Sequence, residues 1–131
     1  ILLKRAFSAT YNEWLLASEY IKQSGNNNII LCERGIRTFE TTTRNTLDLQ
    51  AVPYIKTNSE LPIIIDPSHA AGNRYMIKPM SLAAAASGCD GLIIEVHDRP
   101  DESLCDKAQA ISIDELKEII NKVNRVKKII K

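Results

Sequence analysis

A chain of 131 residues with 44% hydrophobic and 25% charged side chains has the composition of a folded unit with its own core, which excludes disordered and fibrous classes. Its formal net charge of +1 gives no overall field toward nucleic acid or an anionic membrane surface, and no apolar run approaches the roughly 20 residues that span a bilayer. Its three cysteines, Cys32, Cys89 and Cys105, are odd in number and lack CxxC spacing, which favours a reduced, cytoplasmic setting over a disulfide framework.

The sequence opens at Ile1 without a Met and reads as cut from a longer chain. Residues 1–3 predict a buried strand ending in Lys4 and Arg5. Ser8 or Thr10 can cap a helix over 11–23, where Trp14, Leu15, Ala17, Ser18 and Ile21 recur at helical spacing and Gly25 is the stop. A second apolar strand, 28–32, ends in Glu33, Arg34 and Gly35. A polar stretch follows, then a weaker helical pattern over 45–55 with Pro53 inside it.

The third strand, 61–65, ends in Asp66-Pro67-Ser68-His69, read as a turn, and its helix is expected over 78–87 with Gly88 as the stop. The fourth strand, 91–94, ends in Glu95-Val96-His97. A polar loop then leads to a last helix over 113–130, with Ile119, Ile120 and Val123 turned inward and its lysines toward solvent. Strand and helix therefore alternate four times, and the strands are apolar throughout. Strands covered on both faces in parallel α/β sheets have this character. No linker divides the chain, so a single α/β unit is expected.

Each strand finishes in charged or ligand-capable residues: Lys4 and Arg5; Glu33 and Arg34; Asp66 and His69; Glu95 and His97. In parallel α/β folds the site lies at the carboxyl ends of the strands, so four such ends converge on one rim. Two chemical sets are present. Lys4, Arg5, Arg34 and Arg37 are cations suited to phosphate or carboxylate. His69, Glu95 and Asp106 are an imidazole and two carboxylates, a set suited to Mn²⁺, Fe²⁺, Co²⁺ or Zn²⁺. Trp14, Cys32 and Cys89 read as core.

At these residues the sequence resembles the 3-deoxy-7-phosphoheptulonate (DAHP) synthases of type Iβ. The likeness lies in Leu2-Leu3-Lys4-Arg5, in Ile30-Leu31-Cys32-Glu33-Arg34-Gly35-Ile36-Arg37-Thr38-Phe39-Glu40, in Thr43-Arg44-Asn45-Thr46-Leu47-Asp48, in Asp66-Pro67-Ser68-His69 and in Ile94-Glu95-Val96-His97. It runs over essentially the whole chain. The sister 3-deoxy-manno-octulosonate 8-phosphate synthases share the Cys-(Asp/Glu)-Arg-Gly strand end but lack the Ile-Arg-Thr-Phe-Glu and Arg-Asn-Thr-Leu-Asp stretches.

The resemblance implies a (β/α)₄ half of a TIM (β/α)₈ barrel, the C-terminal half of a metal-dependent synthase of aromatic amino acid biosynthesis. The implied reaction condenses phosphoenolpyruvate with erythrose 4-phosphate. Residues matching Lys4 and Arg34 are implied to hold phosphoenolpyruvate, with Arg5, Arg37 and Arg74 as further contacts. Those matching His69, Glu95 and Asp106 are implied to bind the divalent metal.

Three departures carry expectations of their own. Ala6 stands where the family usually has Gly, which would strain a turn of positive φ. Cys105-Asp106-Lys107 replaces Ser-Asp-Gly, which brings a second positive charge into the metal cation's surroundings and removes Gly flexibility. A complete barrel takes about 250 residues, and the family's first metal ligand, a Cys, and its Lys-Pro-Arg-Thr segment are not in this sequence. Four strands should leave two open edges and an uncovered apolar face. The chain is therefore expected to be inactive alone and to pair with a missing half or form a homo-oligomer; a non-catalytic half-barrel is the contrasting reading.

Overall fold

A computed structural model of the chain describes residues 1–130. Strands β1 (Leu2–Lys4), β2 (Ile30–Glu33), β3 (Ile63–Ile65) and β4 (Gly91–Leu92) form one sheet in the order β1-β2-β3-β4, and every neighbouring pair is parallel. Helix α1 (Tyr11–Gln23) connects β1 to β2, and α2 (Ala51–Asn58) connects β2 to β3. Helices α3 (Pro67–Ala71) and α4 (Arg74–Ala86) connect β3 to β4, and α5 (Ile113–Ile129) follows β4. The expected (β/α)₄ arrangement is thus present.

Helices α1 and α5 begin at capping boxes. The Thr10 and Ser112 side chains accept the Glu13 and Glu115 N–H groups, and both glutamates reach back to the cap N–H. This reciprocal pairing satisfies orphan donors of the first turn, which is why both helices lie where the sequence places them. Helix α2 starts later than the expected 45–55. Ile36 and Thr46 exchange both backbone bonds, and the Asn45 N–H donates to the Ala70 carbonyl, so residues 45 and 46 are held by distant partners. Pro53 then falls in the first turn of α2, where its missing N–H has no intrahelical partner to lose.

Two further differences lie around β3. Residues 67–71, where a turn is expected, form the short helix α3, capped by Asp66 and closed by Gly72 at φ 68°. Five residues are too few to show periodicity. Helix α4 begins at Arg74, four residues before the expected start at Lys78. Pro79 therefore sits in its interior and removes the bond that would reach the Tyr75 carbonyl.

The pleat separates two faces. Leu3, Leu31, Ile63, Ile65 and Leu92 face the helices and pack with Trp14, Val52, Ile55 and Ala84. A second cluster joins Ile77, Ile111 and Ile119 with Val96 and Leu116. Ile120 is not turned inward as expected: it is 47% exposed. On the opposite sheet face Leu2 and Ile30 are 39% and 40% exposed, so among the described residues no helix covers that side.

The asymmetry predicts unequal stability effects. In the 131-residue chain, Ile65→Ala at a fully buried position is expected to cost about 2–5 kcal/mol. Ile30→Ala is expected to cost about 1 kcal/mol or less. Urea denaturation midpoints of the two variants check the difference.

Candidate active site at the carboxyl rim of the sheet

Lys4 ends β1 on the uncovered face, and its Nζ lies 2.8 Å from Asp66 Oδ2. Asp66 follows β3 and caps α3. Its Oδ1 accepts the His69 N–H at 3.0 Å, and its Oδ2 lies 2.8 Å from His69 Nδ1. A carboxylate only accepts, so this network places a proton on Nδ1 and leaves Nε2 as the ring nitrogen turned away from Asp66. Nε2 lies 3.6 Å from Asp106 Oδ2 and 3.9 Å from Glu95 Oε2, too far for hydrogen bonds.

The ligand atoms of His69, Glu95 and Asp106 lie within 4.8 Å of one another. Donors roughly 2.0–2.2 Å from one divalent ion stand about 3–4 Å apart. The trio therefore suits such an ion in donor chemistry, and its two Nε2–oxygen distances of 3.9 and 3.6 Å fall in that range. The outer hydrogen bond from His69 to Asp66 is the partner that a metal-binding imidazole usually has.

Backbone bonds fix this group. The Glu95 N–H donates to the buried Ser68 Oγ at 3.0 Å, and the Glu95 carbonyl accepts the Ile111 N–H. Asn45 Nδ2 donates to the His69 carbonyl at 3.0 Å. Asp106 has φ 51°, the one left-handed non-glycine among the described residues, and its Oδ1 accepts from Arg44 Nη1 at 2.9 Å.

Arg34 stands beside this chain of contacts. It is 9% exposed, its guanidinium lies 4.4 Å above the Phe7 ring, and its Nη1 is buried without a hydrogen-bond partner among the described residues. Burial holds its pKa below the ordinary arginine value; the Asp66 carboxylate opposes that shift and the Arg44 charge adds to it. An unpaired buried donor on a cation is a place for an anion. Gly35 makes the turn possible. At φ 91° an added Cβ would meet Asn45 Cβ at 2.6 Å and Ala70 Cα at 2.9 Å, so only glycine fits.

The other three expected substrate contacts have different surroundings. Arg5 is buried, and its Nη1 bonds both Glu33 at 3.0 Å and Asp48 at 2.8 Å. Arg37 is exposed, and its backbone N–H donates to the Phe7 carbonyl. Arg74 clamps the loop before α5: its Nε donates to the Ala110 carbonyl at 2.6 Å and its Nη2 to Asp101 at 3.1 Å. His97 also stands outside the trio, where its Nδ1 accepts the Arg99 N–H.

A sequence profile described as the DAHP synthetase I family matches residues 1–131. The chain belongs to the DAHP synthetase I family. It is 51% identical over 126 residues to a phospho-2-dehydro-3-deoxyheptonate aldolase of Thermotoga maritima, covering 96% of this chain and 37% of that protein. The crystal structure of that T. maritima DAHP synthase superposes with a TM-score of 0.95 at 50% identity, covering 98% of this chain and 38% of that one. A truncated form of the T. maritima enzyme superposes at 0.96, covering 98% of this chain and 49% of that one. A 2-dehydro-3-deoxyphosphooctonate aldolase of Geobacter sulfurreducens is 32% identical over 124 residues, covering 85% of this chain and 44% of that protein. The chain thus spans less than half the length of these relatives.

Within this DAHP synthetase family member, the departures at Ala6 and Lys107 meet different outcomes. Ala6 does not take a left-handed conformation, so the expected strain is absent. Lys107 is exposed, and the left-handed residue of the loop is its neighbour Asp106. Cys105 is exposed and stands outside the trio. The sequence alone assigns no role to Asp66 as the link between Lys4 and His69, nor any to Ser68, Arg44, Asn45 or Gln109. Of these, Asp66, Ser68, Arg44 and Asn45 lie in stretches that mark the family likeness, while Gln109 carries no signal beyond its type.

The Arg5–Glu33 pair generates a prediction. Burial pushes the Glu33 carboxyl above its ordinary value, while Arg5 and the Gly35 N–H oppose the rise. A raised folded-state value means that the Glu33 contribution is fully present below about 4.5 and is lost as pH climbs through the folded value. Arg5→Met removes the opposing cation and leaves a buried charge, so it is expected to cost about 3–5 kcal/mol near pH 7. The deficit should shrink toward pH 4.5, as measured by denaturant unfolding of both proteins across that range.

Proposed function

We propose that this chain is the C-terminal half of a DAHP synthase barrel, residues 1–131. The parent protein would condense phosphoenolpyruvate with erythrose 4-phosphate to give the seven-carbon phosphoheptulonate and inorganic phosphate. The observation that carries this reading is the continuous contact path from Lys4 through Asp66 to His69 and on to Glu95 and Asp106. It joins a cationic region suited to a phosphorylated carboxylate with a trio suited to a divalent ion. The 51% identity to the T. maritima enzyme against 32% to the octulosonate enzyme favours the four-carbon acceptor.

Each residue has a physical task in this reading. Lys4 and Arg34 bind the phosphate and carboxylate of phosphoenolpyruvate and neutralise their charge, which positions the enol carbon for attack. Phe7 shields one face of the Arg34 guanidinium from water. Asp66 holds Lys4 in place and orients the His69 ring. His69 Nε2, Glu95 and Asp106 would hold Mn²⁺, Fe²⁺, Co²⁺ or Zn²⁺. When bound, such an ion supplies Lewis-acid polarisation of the acceptor aldehyde. The uncovered sheet face and the coverage of the relatives support pairing with a further half-barrel, and the three free thiols support a cytoplasmic setting.

The full-length parent, given both substrates and Mn²⁺, is expected to release phosphate. His69→Ala and Glu95→Gln are expected to lower kcat by about 10²-fold or more, the scale of losing one electrostatic group at a reacting centre. No turnover by a folded, metal-supplemented parent would refute the reading. Arabinose 5-phosphate in place of erythrose 4-phosphate should react far more slowly; a preference for the five-carbon sugar would assign the octulosonate reaction instead. The 131-residue chain alone is expected to show no turnover, and metal-dependent turnover by it would contradict the half-barrel reading.

A further inference from the structure

We propose that Arg44 is the positioning residue for the Asp106 carboxylate, with Gln109 as its latch. This inference rests on the reading of His69, Glu95 and Asp106 as metal ligands. The two Asp106 oxygens have separate surroundings. Oδ1 accepts from Arg44 Nη1 at 2.9 Å, while Oδ2 turns toward His69 Nε2 at 3.6 Å. Holding one oxygen sets the direction of the other. Among the described residues no other side chain hydrogen-bonds this carboxylate, and its backbone sits at φ 51° in an exposed loop. Without Arg44 nothing fixes its rotation.

Arg44 is itself constrained at three points. Its N–H donates to the Ala71 carbonyl at 3.2 Å. Its stem lies against Gly72, where an added Cβ would meet Arg44 Cβ at 2.7 Å. Its Nη1 also donates to Gln109 Oε1 at 3.1 Å. Gln109 is 2% exposed, and its Nε2 is buried without a partner among the described residues. A guanidinium only donates, so the amide presents its oxygen to Arg44, and its nitrogen gains no partner there. A buried unsatisfied amide is rare and disfavoured. Its presence behind a half-exposed arginine indicates that the arginine's placement matters more than the amide's own bonding.

The competing account is a surface ion pair that adds a little stability. Arg44 and Asp106 side chains are 47% and 30% exposed, and ion pairs so exposed contribute little to folding. A pair of that kind could be removed at Arg44 with almost no effect on any measurement. Outer-sphere partners of metal ligands behave differently, since their loss typically weakens metal binding about 10–100-fold.

The test is Mn²⁺ titration of the full-length protein, reading free Mn²⁺ by electron paramagnetic resonance, with circular dichroism melting of the metal-free form as a control. Arg44→Ala is expected to weaken Mn²⁺ binding about 10–100-fold with little change in melting. Arg44→Lys should recover part of the loss, because a single ammonium keeps the charge but not the fixed fork. Should Arg44→Ala fail to fold, Arg44→Gln takes its place with the same expectation. Unchanged binding in the folded variant overturns the inference, and so does tighter binding, which would mark Arg44 as a competing cation. His69→Ala separates the two levels. If it weakens Mn²⁺ binding and Arg44→Ala does not, only the role of Arg44 fails. If His69→Ala leaves binding intact, the metal reading itself fails.

Discussion

The rim of this sheet is organised by one buried carboxylate. Asp66 is 1% exposed, and an unpaired carboxylate there would be strongly disfavoured. It is satisfied from both sides: Lys4 Nζ from β1, and the His69 ring and N–H from the first turn of α3. The same contacts that make its burial tolerable fix the geometry of the site. They hold the cation in place, select the tautomer of the imidazole and aim Nε2 at two further carboxylates. Because Asp66 also caps α3, the start of that helix and the orientation of His69 are set by one side chain.

A second buried carboxylate plays the complementary role beneath the rim. Glu33 is fully buried, bonded to Arg5 and to the Gly35 N–H at 2.7 Å. Arg5 continues the pairing to Asp48, which also accepts the Tyr11 hydroxyl at 2.7 Å. Burial and that bond push the Tyr11 phenol up to about 12. The network ties β1, α1, β2 and the loop before α2 together under the sheet end. Arg5 and Arg34 are similar residues at similar strand ends, yet one is paired on the helix side and the other keeps an unpartnered nitrogen. The pleat decides this: Glu33 shares the helix-facing side with Leu31, and the next residue points the other way.

Much of this is legible in the sequence, because the signals are local. The boxes Thr10–Glu13 and Ser112–Glu115 are three-residue spacings, and each strand is a short apolar run followed by a charge. What is not legible depends on distant partners. Residues 45 and 46 fall within a helical pattern, and their bonds to Ala70 and Ile36 leave no trace in it. Asp66 can be seen as a ligand-capable strand end, but its role as a bridge requires Lys4, 62 residues away. The same holds for Arg44, whose partner Asp106 is equally distant at 62 residues. The loop contacts of Arg74 also depend on a distant partner, since its Nε donates to the Ala110 carbonyl 36 residues away.

The uncovered face bears on the chemistry as well as on the fold. Leu2, Ile30 and Ile64 share that face with Lys4 and Cys32, as the parallel register requires. Burial, with Asp66 nearby, pushes the Cys32 thiol up to about 12, so a low-dielectric environment already exists one strand from Lys4. The Lys4 side chain is still 38% exposed, and water screens its pairing with Asp66. A packed half-barrel over Leu2 and Ile30 would remove that water, strengthen the Lys4–Asp66 attraction and lower the dielectric around any anion held by Lys4 and Arg34. In the proposed pairing with a further half-barrel, covering the apolar face and completing the electrostatics of the rim would be one event, which is the physical reason to expect no turnover from four strands alone.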